Sequence, residues 1–354
     1  MKDRKAVVRL GSRSAVRLSD LALLVRAPAA LSVPGDVIAG TAAAGRPLGA
    51  RSLGVIGSSV CLYWAGMALN DYVDATVDSV ERPDRPVPSG RVPRRTALAV
   101  AGSLTAVGLG LAAAAGGRRN LGAALPLAGL VWAYDLKLKS TPLGGVAMAG
   151  ARVMDVLAGA VVPGAGAESV GVALRRAAVP AGLVGVHTGT LMALSRHEIS
   201  GAPVRVPSVT LAVSAAAALA TAVPVGQGGS GGASKERPAA AAPSWPVTPR
   251  GGAATRHRPA PLSGVAGAVS SKGLRTAVTV AGALAYLGSY GTAQVRAVRK
   301  PSGENVRRAV GAGILGLLPL QAALTARGGA PGVAAALGVV HPLARRLARR
   351  ISPT

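Results

Sequence analysis

The strongest constraint on this chain is the recurrence of long stretches almost free of charge. They fall near residues 19–40, 52–70, 96–116, 119–134, 142–163, 172–194, 206–226, 274–297 and 306–326, with a shorter tenth at 330–344. A helix needs about 20 apolar residues to cross a hydrocarbon core. In lipid, only a helix or a closed barrel satisfies its own backbone polar groups. The runs therefore predict an all-α fold: a polytopic membrane protein, a bundle of about nine transmembrane helices. Composition agrees, with 50% hydrophobic and 15% charged residues, against about 25% charged in soluble domains. Ala, Gly and Val dominate the runs, and small residues allow close helix packing in lipid.

The pattern divides the chain into a basic N-terminal segment at 1–18, helices with intervening loops at 19–226, a Gly/Ser/Pro/Ala-rich stretch at 227–271, further helices at 272–345 and a basic tail at 346–354. The stretch at 227–271 cannot bury enough apolar surface to order itself and is expected to be a disordered loop. The formal charge is +26, from 40 Lys and Arg against 14 Asp and Glu. These cations sit mostly between the apolar runs and at both ends, with no basic face interleaved with aromatics. The pattern speaks for topology signals and lipid headgroups, not nucleic acid. Lys2, Arg4, Lys5, Arg9, Arg13 and Arg17 place the N-terminus in the cytoplasm by the positive-inside rule, and the basic loops at 71–95, 135–141 and 195–205 follow on the same side. The first apolar run lacks a small-residue cleavage site, so it reads as a retained helix in the cell membrane. Cys61 is the only cysteine, which excludes an intrachain disulfide.

Asp71, Asp74 and Asp78 pack three of the chain's 14 acids into eight residues at the end of the second run. Offsets of three and seven place them on one helical face. They repel one another there, where a helix C-terminus already carries partial negative charge. A bound cation relieves that cost, and hard oxygen ligands suit Mg²⁺. The following loop, Glu81-Arg82-Pro83-Asp84-Arg85-Pro86-Val87-Pro88-Ser89-Gly90-Arg91, is stiffened by its prolines and supplies anion donors beside the acids.

The stretch from Asn70 to Gly90 resembles the first aspartate-rich motif of the UbiA superfamily of intramembrane prenyltransferases, N-D-x-x-D-x-x-x-D followed by R-P-x-R-P-x-P-x-G. Asn70, Asp71, Asp74, Asp78, Arg82, Arg85 and Gly90 match it position by position. Tyr134-Asp135-Leu136-Lys137-Leu138-Lys139-Ser140-Thr141-Pro142 is similar to the family's tyrosine-lysine loop. Its lysine contacts diphosphate; Lys139 is the better match because Thr-Pro follows it, with Lys137 the second candidate. The family's second motif, D-x-x-x-D, is reduced here to Leu194-Ser195-Arg196-His197-Glu198-Ile199-Ser200-Gly201, which puts the chain nearer to divergent, EboC-like members.

The resemblance implies Asn70, Asp71, Asp74 and Asp78 as catalytic residues. Asp71, Asp74, Asp78 and Glu198 would hold Mg²⁺, while Arg82, Arg85, Tyr134, Lys137, Lys139 and Arg196 would hold the diphosphate. It implies transfer of a prenyl group from an isoprenoid diphosphate to an aromatic or other nucleophilic acceptor within the membrane. Two alternatives share the fold: a terpene cyclase, and a non-catalytic lipid-binding or transport protein. Tyr63, Trp64, Tyr72, Trp132 and Tyr134 gather near the acids, where they suit either the path of an allylic cation or an interfacial aromatic belt. Arg152 and Asp155, three residues apart inside an apolar run, suit either an ion pair or a substrate contact.

Overall fold

A computed structural model describes residues 16–164, 169–223 and 271–351. The stretch expected to be disordered, most of the N-terminal segment and the last residues of the tail lie outside the described residues. Every described element is helical. In chain order they are α1 (Leu18–Leu24), α2 (Val33–Ala43), α3 (Ala50–Val73), α4 (Ala75–Glu81), α5 (Arg94–Ala133), α6 (Gly144–Ala160), α7 (Val170–Ser195), α8 (Arg205–Ala222), α9 (Ser271–Tyr286), α10 (Thr292–Arg299), α11 (Gly303–Arg327) and α12 (Pro331–Ile351). A 3₁₀ turn at Ala27–Ser32 joins α1 to α2, and wider π turns follow α5 at Tyr134–Leu138 and α9 at Leu287–Gly291.

Five of these segments are long and apolar enough to cross a membrane: Ala50–Val73, Arg94–Leu138, Val170–Ser195, Arg205–Ala222 and Gly303–Arg327. The longest of them is broken. Gly116 and Gly117 leave helical geometry, Gly117 at a φ of 59° that side chains rarely adopt. The two legs then run side by side, because the Trp132 indole N–H reaches the Thr105 hydroxyl at 3.1 Å. The charge-poor runs at 96–116 and 119–134 thus correspond to the two legs of one broken element.

α3 packs along both legs of α5, α6 lies between α2 and α7, and α11 packs against α2, α7, α9 and α12. α11 is the most enclosed span, buried without interruption from Gly316 to Ala326. Its neighbours pack Tyr286, Tyr290, Leu194 and Val184 into the largest core cluster. Many large apolar residues point outward, among them Leu53, Leu125, Val146, Leu219 and Leu284. An apolar outer face is what a lipid solvent requires. Ser169 and Ser302 cap α7 and α11 by accepting from Val172 and Asn305 backbone N–H groups.

α2 and α6 cross at backbone contact. A Cβ on Gly40 would lie 1.8 Å from the Val156 carbonyl oxygen, and one on Gly159 would lie 2.1 Å from that of Val37. The Thr41 hydroxyl ties the crossing by donating to Gly159 O at 3.1 Å. This crossing fixes the position of Arg152 on α6 against Asp36 on α2, an ion pair of 2.8 Å.

Candidate active site

The aspartate motif begins on the last turn of α3 and continues through α4. Asp74 is the joint: it ends one helix and opens the next, while the backbone bonds Asp74 N to Asn70 O and Asp78 N to Asp74 O hold helical spacing at 2.8 Å each. The side chains do not converge on one point as their spacing predicts. At 3.6 residues per turn, Asp78 lies about 20° from Asp71, but Asp74 lies about 60° away. That difference splits the set. Arg85 pairs with Asp78 and stands 3.6 Å from Asp71. Asp74 turns toward Asn70, whose amide Nδ2 donates to its Oδ2 at 3.0 Å, and it pairs with Lys139 on its other side.

Two residues without a role in the sequence reading join the site. Asp135 is buried, and its Oδ1 accepts from the same Asn70 Nδ2 at 3.2 Å. Arg26 donates to Asp71 Oδ1 at 3.1 Å and to Asn70 Oδ1 at 3.4 Å. Its backbone sits at a φ of 47°, a costly left-handed conformation. The side-chain bonds to α3 offset that cost. The signals for both were present: an acid beside Tyr134 in the tyrosine-lysine loop, and an arginine inside an apolar run.

The π turn at Tyr134–Leu138 decides which members of that loop face the site. Its wider winding brings Asp135 inward and Lys139 back onto Asp74, and leaves Lys137 exposed without a recorded contact to the acids. Arg196, at the end of α7, donates to the carbonyls of Thr141 and Pro142 at 3.0 and 3.2 Å. It braces the Lys139 loop from behind. Arg82 is exposed at the rim. Glu198 lies in the turn after α7, where Arg307 donates to its backbone carbonyl at 3.4 Å. Burial raises its carboxyl above the ordinary glutamate value, opposed by the charges of Arg307 and Arg82. Arg91 folds the loop onto α1 through Asp20, at 3.1 Å.

Below this polar mouth lies a cavity of about 200 Å³ between α3, the second leg of α5 and α6. Asn70, Asp135, Arg26 and Tyr134 line it at the mouth, with Tyr63, Leu127 and Val131 among its walls. Of the five aromatics expected near the acids, Tyr63 and Tyr134 line it. Tyr72 carries the Arg94 guanidinium 4.6 Å above its ring, and Trp132 is held by Thr105.

Among the described residues, no three His, Cys, Asp or Glu side chains converge as a metal cage. Mg²⁺ does not require one: it takes one or two carboxylates and fills its remaining positions with substrate phosphates and water. The Asp74 and Asp135 carboxylates, which meet at the Asn70 amide nitrogen, supply hard oxygens that fit that ion, and Asn70 Oδ1, which accepts from Arg26, adds a third when the amide turns.

An apolar cavity beneath a mouth of carboxylates and cations, inside a helical bundle with an apolar exterior, defines an intramembrane protein with a charged opening onto an apolar chamber. The family model described as the UbiA prenyltransferase family matches residues 31–233, more than half of the chain, and the chain belongs to that family. Relatives include the digeranylgeranylglyceryl phosphate synthase of Methanopyrus kandleri, 44% identical over 116 residues, 33% of this chain and 41% of the relative. The enzyme of the same description from Ignicoccus hospitalis is 35% identical over 179 residues, 50% of this chain and 56% of the relative. The chain thus spans about half, or less, of the length of the curated relatives it matches. The fold is similar to a solved structure described as digeranylgeranylglyceryl phosphate synthase in membranes, with a TM-score of 0.56 at 14% identity over 89% of this chain and 99% of that one. It is also similar to the apo structure of a UbiA homolog from Aeropyrum pernix K1, with a TM-score of 0.53 at 16% identity over 88% and 97%. At these identities the structural likeness establishes the fold.

Proposed function

We propose that this chain transfers a prenyl group from an isoprenoid diphosphate to a nucleophilic acceptor, aromatic or other, inside the membrane. The observation that carries the reading is the Asn70 amide, held between Asp74 and Asp135 at the mouth of an apolar cavity. Asn70, Asp74 and Asp135 would hold Mg²⁺, with Asp71 and Asp78 beside them. Bound there, the ion supplies Lewis-acid stabilisation of the diphosphate oxygens.

The chain's own residues do the rest. Arg26, Arg85 and Lys139, now paired with the acids, are placed to turn toward the diphosphate, and Arg82 adds charge at the rim. These cations stabilise the negative charge that develops as the allylic C–O bond breaks and its electron pair leaves on the diphosphate. Arg196 holds the loop that positions Lys139. The cavity excludes water from the allylic cation, and Tyr63 and Tyr134 offer it their ring faces. The acceptor then forms the new bond to carbon and loses a proton. The Lys and Arg bias puts this mouth and the N-terminal segment on the cytoplasmic side.

The test is prenyl transfer by purified protein supplied with Mg²⁺ and a panel of isoprenoid diphosphates and acceptors. Asp71→Ala and Asp74→Ala should each abolish Mg²⁺-dependent diphosphate binding. Variants that bind as well as the parent would sink the site assignment. Product formed with no acceptor present would assign cyclisation instead of transfer.

A further inference from the structure

The inner end of the cavity is polar in a way that a prenyl tail does not explain. Ser59, Arg152 and Asp155 line it together with Met148 and Leu62. Ser59 precedes Asn70 by eleven residues on α3, which places this end about 16 Å from the mouth. Asp155 is 5% exposed and Arg152 8%.

Arg152 is committed elsewhere. Its Nε pairs with Asp36 Oδ2 at 2.8 Å, and its Nη2 donates to the Ser32 carbonyl at 3.2 Å. Asp36 is also held by Gln321, whose Nε2 donates to its Oδ1 at 2.6 Å. Asp155 is bonded by the Ser59 hydroxyl, but its Oδ1 is buried with no hydrogen-bond partner. Among the described residues, it is the only such atom that belongs to a residue lining this cavity. An unpaired carboxylate oxygen is costly in an apolar interior, and a hydrocarbon tail seated against it offers no relief.

We infer that Asp155 determines acceptor specificity: its free carboxylate oxygen takes the hydrogen of a hydroxyl group on a neutral, ring-sized acceptor. The size follows from the volume. The whole cavity, mouth included, holds about 200 Å³, against the ~150 Å³ that admits benzene in an engineered apolar core, so its inner end takes at most one ring. The charge follows from the count of ionisable groups, two carboxylates against one guanidinium at this end. A phosphate or carboxylate on the acceptor would add a third anion, whereas a hydroxyl supplies the missing donor. The inference rests on the prenyl-transfer reading for the word acceptor, but the subsite stands on the geometry alone. It separates this chain from the glyceryl phosphate chemistry in its relatives' names.

The test is equilibrium binding to the detergent-purified full chain, without Mg²⁺ or diphosphate, followed by saturation-transfer NMR. The probes are phenol, its methyl ether anisole, and phenyl phosphate. Phenol should bind at least about ten-fold more tightly than either of the others, as expected where a buried polar group is built to pair a hydroxyl. Asp155→Leu should erase the preference for phenol over anisole, and Asp155→Asn, which keeps an accepting oxygen, should retain part of it. Equal binding of phenol and anisole, tightest binding of phenyl phosphate, or a preference that survives Asp155→Leu would each overturn the inference. If Asp155→Leu does not fold, the parent protein and Asp155→Asn still decide. Because no donor is present, a protein that fails to transfer prenyl groups still returns a clear result here. A transferase with no hydroxyl preference loses only the subsite.

Discussion

Gly159→Ala is the sharpest test of the crossing that sets α6 against α2 and brings Arg152 to Asp36. The added Cβ would lie 2.1 Å from Val37 O and 2.9 Å from Val37 Cα. Both neighbours are backbone, so no side chain can swing aside. Restoring ordinary contact moves α2 and α6 apart by about 1 Å, and overpacking of this kind costs about 2–3 kcal/mol. The Thr41 bond to Gly159 O, 3.1 Å long, stretches with it, which adds about 1 kcal/mol. Better helix propensity returns about 1 kcal/mol. The net loss is about 2–3 kcal/mol, enough to lower Tm by ~3–4 °C in a chain of this length. Thermal unfolding of the purified protein in detergent, followed by tryptophan fluorescence, measures it. Gly129→Ala is the control, since a Cβ there meets nothing within 4 Å. Gly40→Ala combined with Gly159→Ala should cost less than the sum, because the first substitution already parts the helices. A Gly159→Ala protein that melts within about 1 °C of the parent, as ordinary surface substitutions do, would refute the close crossing.

Other outcomes follow from the site. Lys139→Met should weaken diphosphate binding about 10- to 100-fold by removing a charged hydrogen-bond donor, while exposed Lys137→Met should change it less than about two-fold; direct titration with an unreactive diphosphate analogue separates them. Asp74→Asn and Asp135→Asn should each raise the Mg²⁺ concentration needed for that binding by about ten-fold or more. Glu198→Gln, which lies beside Arg307 and Arg82, should raise it less than either. His187→Leu removes the imidazole whose nitrogens stand 3.0 Å from the Tyr286 hydroxyl and 3.1 Å from the Gly313 carbonyl in the core. It should cost about 2–3 kcal/mol in unfolding measurements while leaving diphosphate affinity unchanged.

The class of this protein was legible in the spacing of its charges, because lipid leaves a long apolar run little choice but a helix. The motif from Asn70 to Gly90 was equally legible, since local helical spacing keeps Asn70 and Asp74 together wherever the helix goes. What the spacing did not carry was partnership across helices. Periodicity put Asp71, Asp74 and Asp78 on one face; the structure divides them because Arg85, Lys139 and Asn70 approach from different directions. Lys137 and Lys139 are two residues apart; the Thr-Pro after Lys139 already favoured it, and the π turn is what sets it on Asp74. Arg196, expected at the diphosphate, also donates to the Thr141 and Pro142 carbonyls, which no spacing in the sequence signals.

The sequence by itself determined that the chain is a helical membrane bundle with an acidic motif at the end of one span, and which family's pattern that motif follows. Only the tertiary structure brought Arg26 and Asp135 to Asn70, across 44 and 65 residues of chain, and set an unpaired Asp155 oxygen against a cavity. The physical reason is that a charge in a span declares its cost in the sequence, while the partner that relieves the cost comes from another helix. Partner and charge meet only when helices pack, and the Asp155 oxygen that no donor reaches is the place we propose for a ligand.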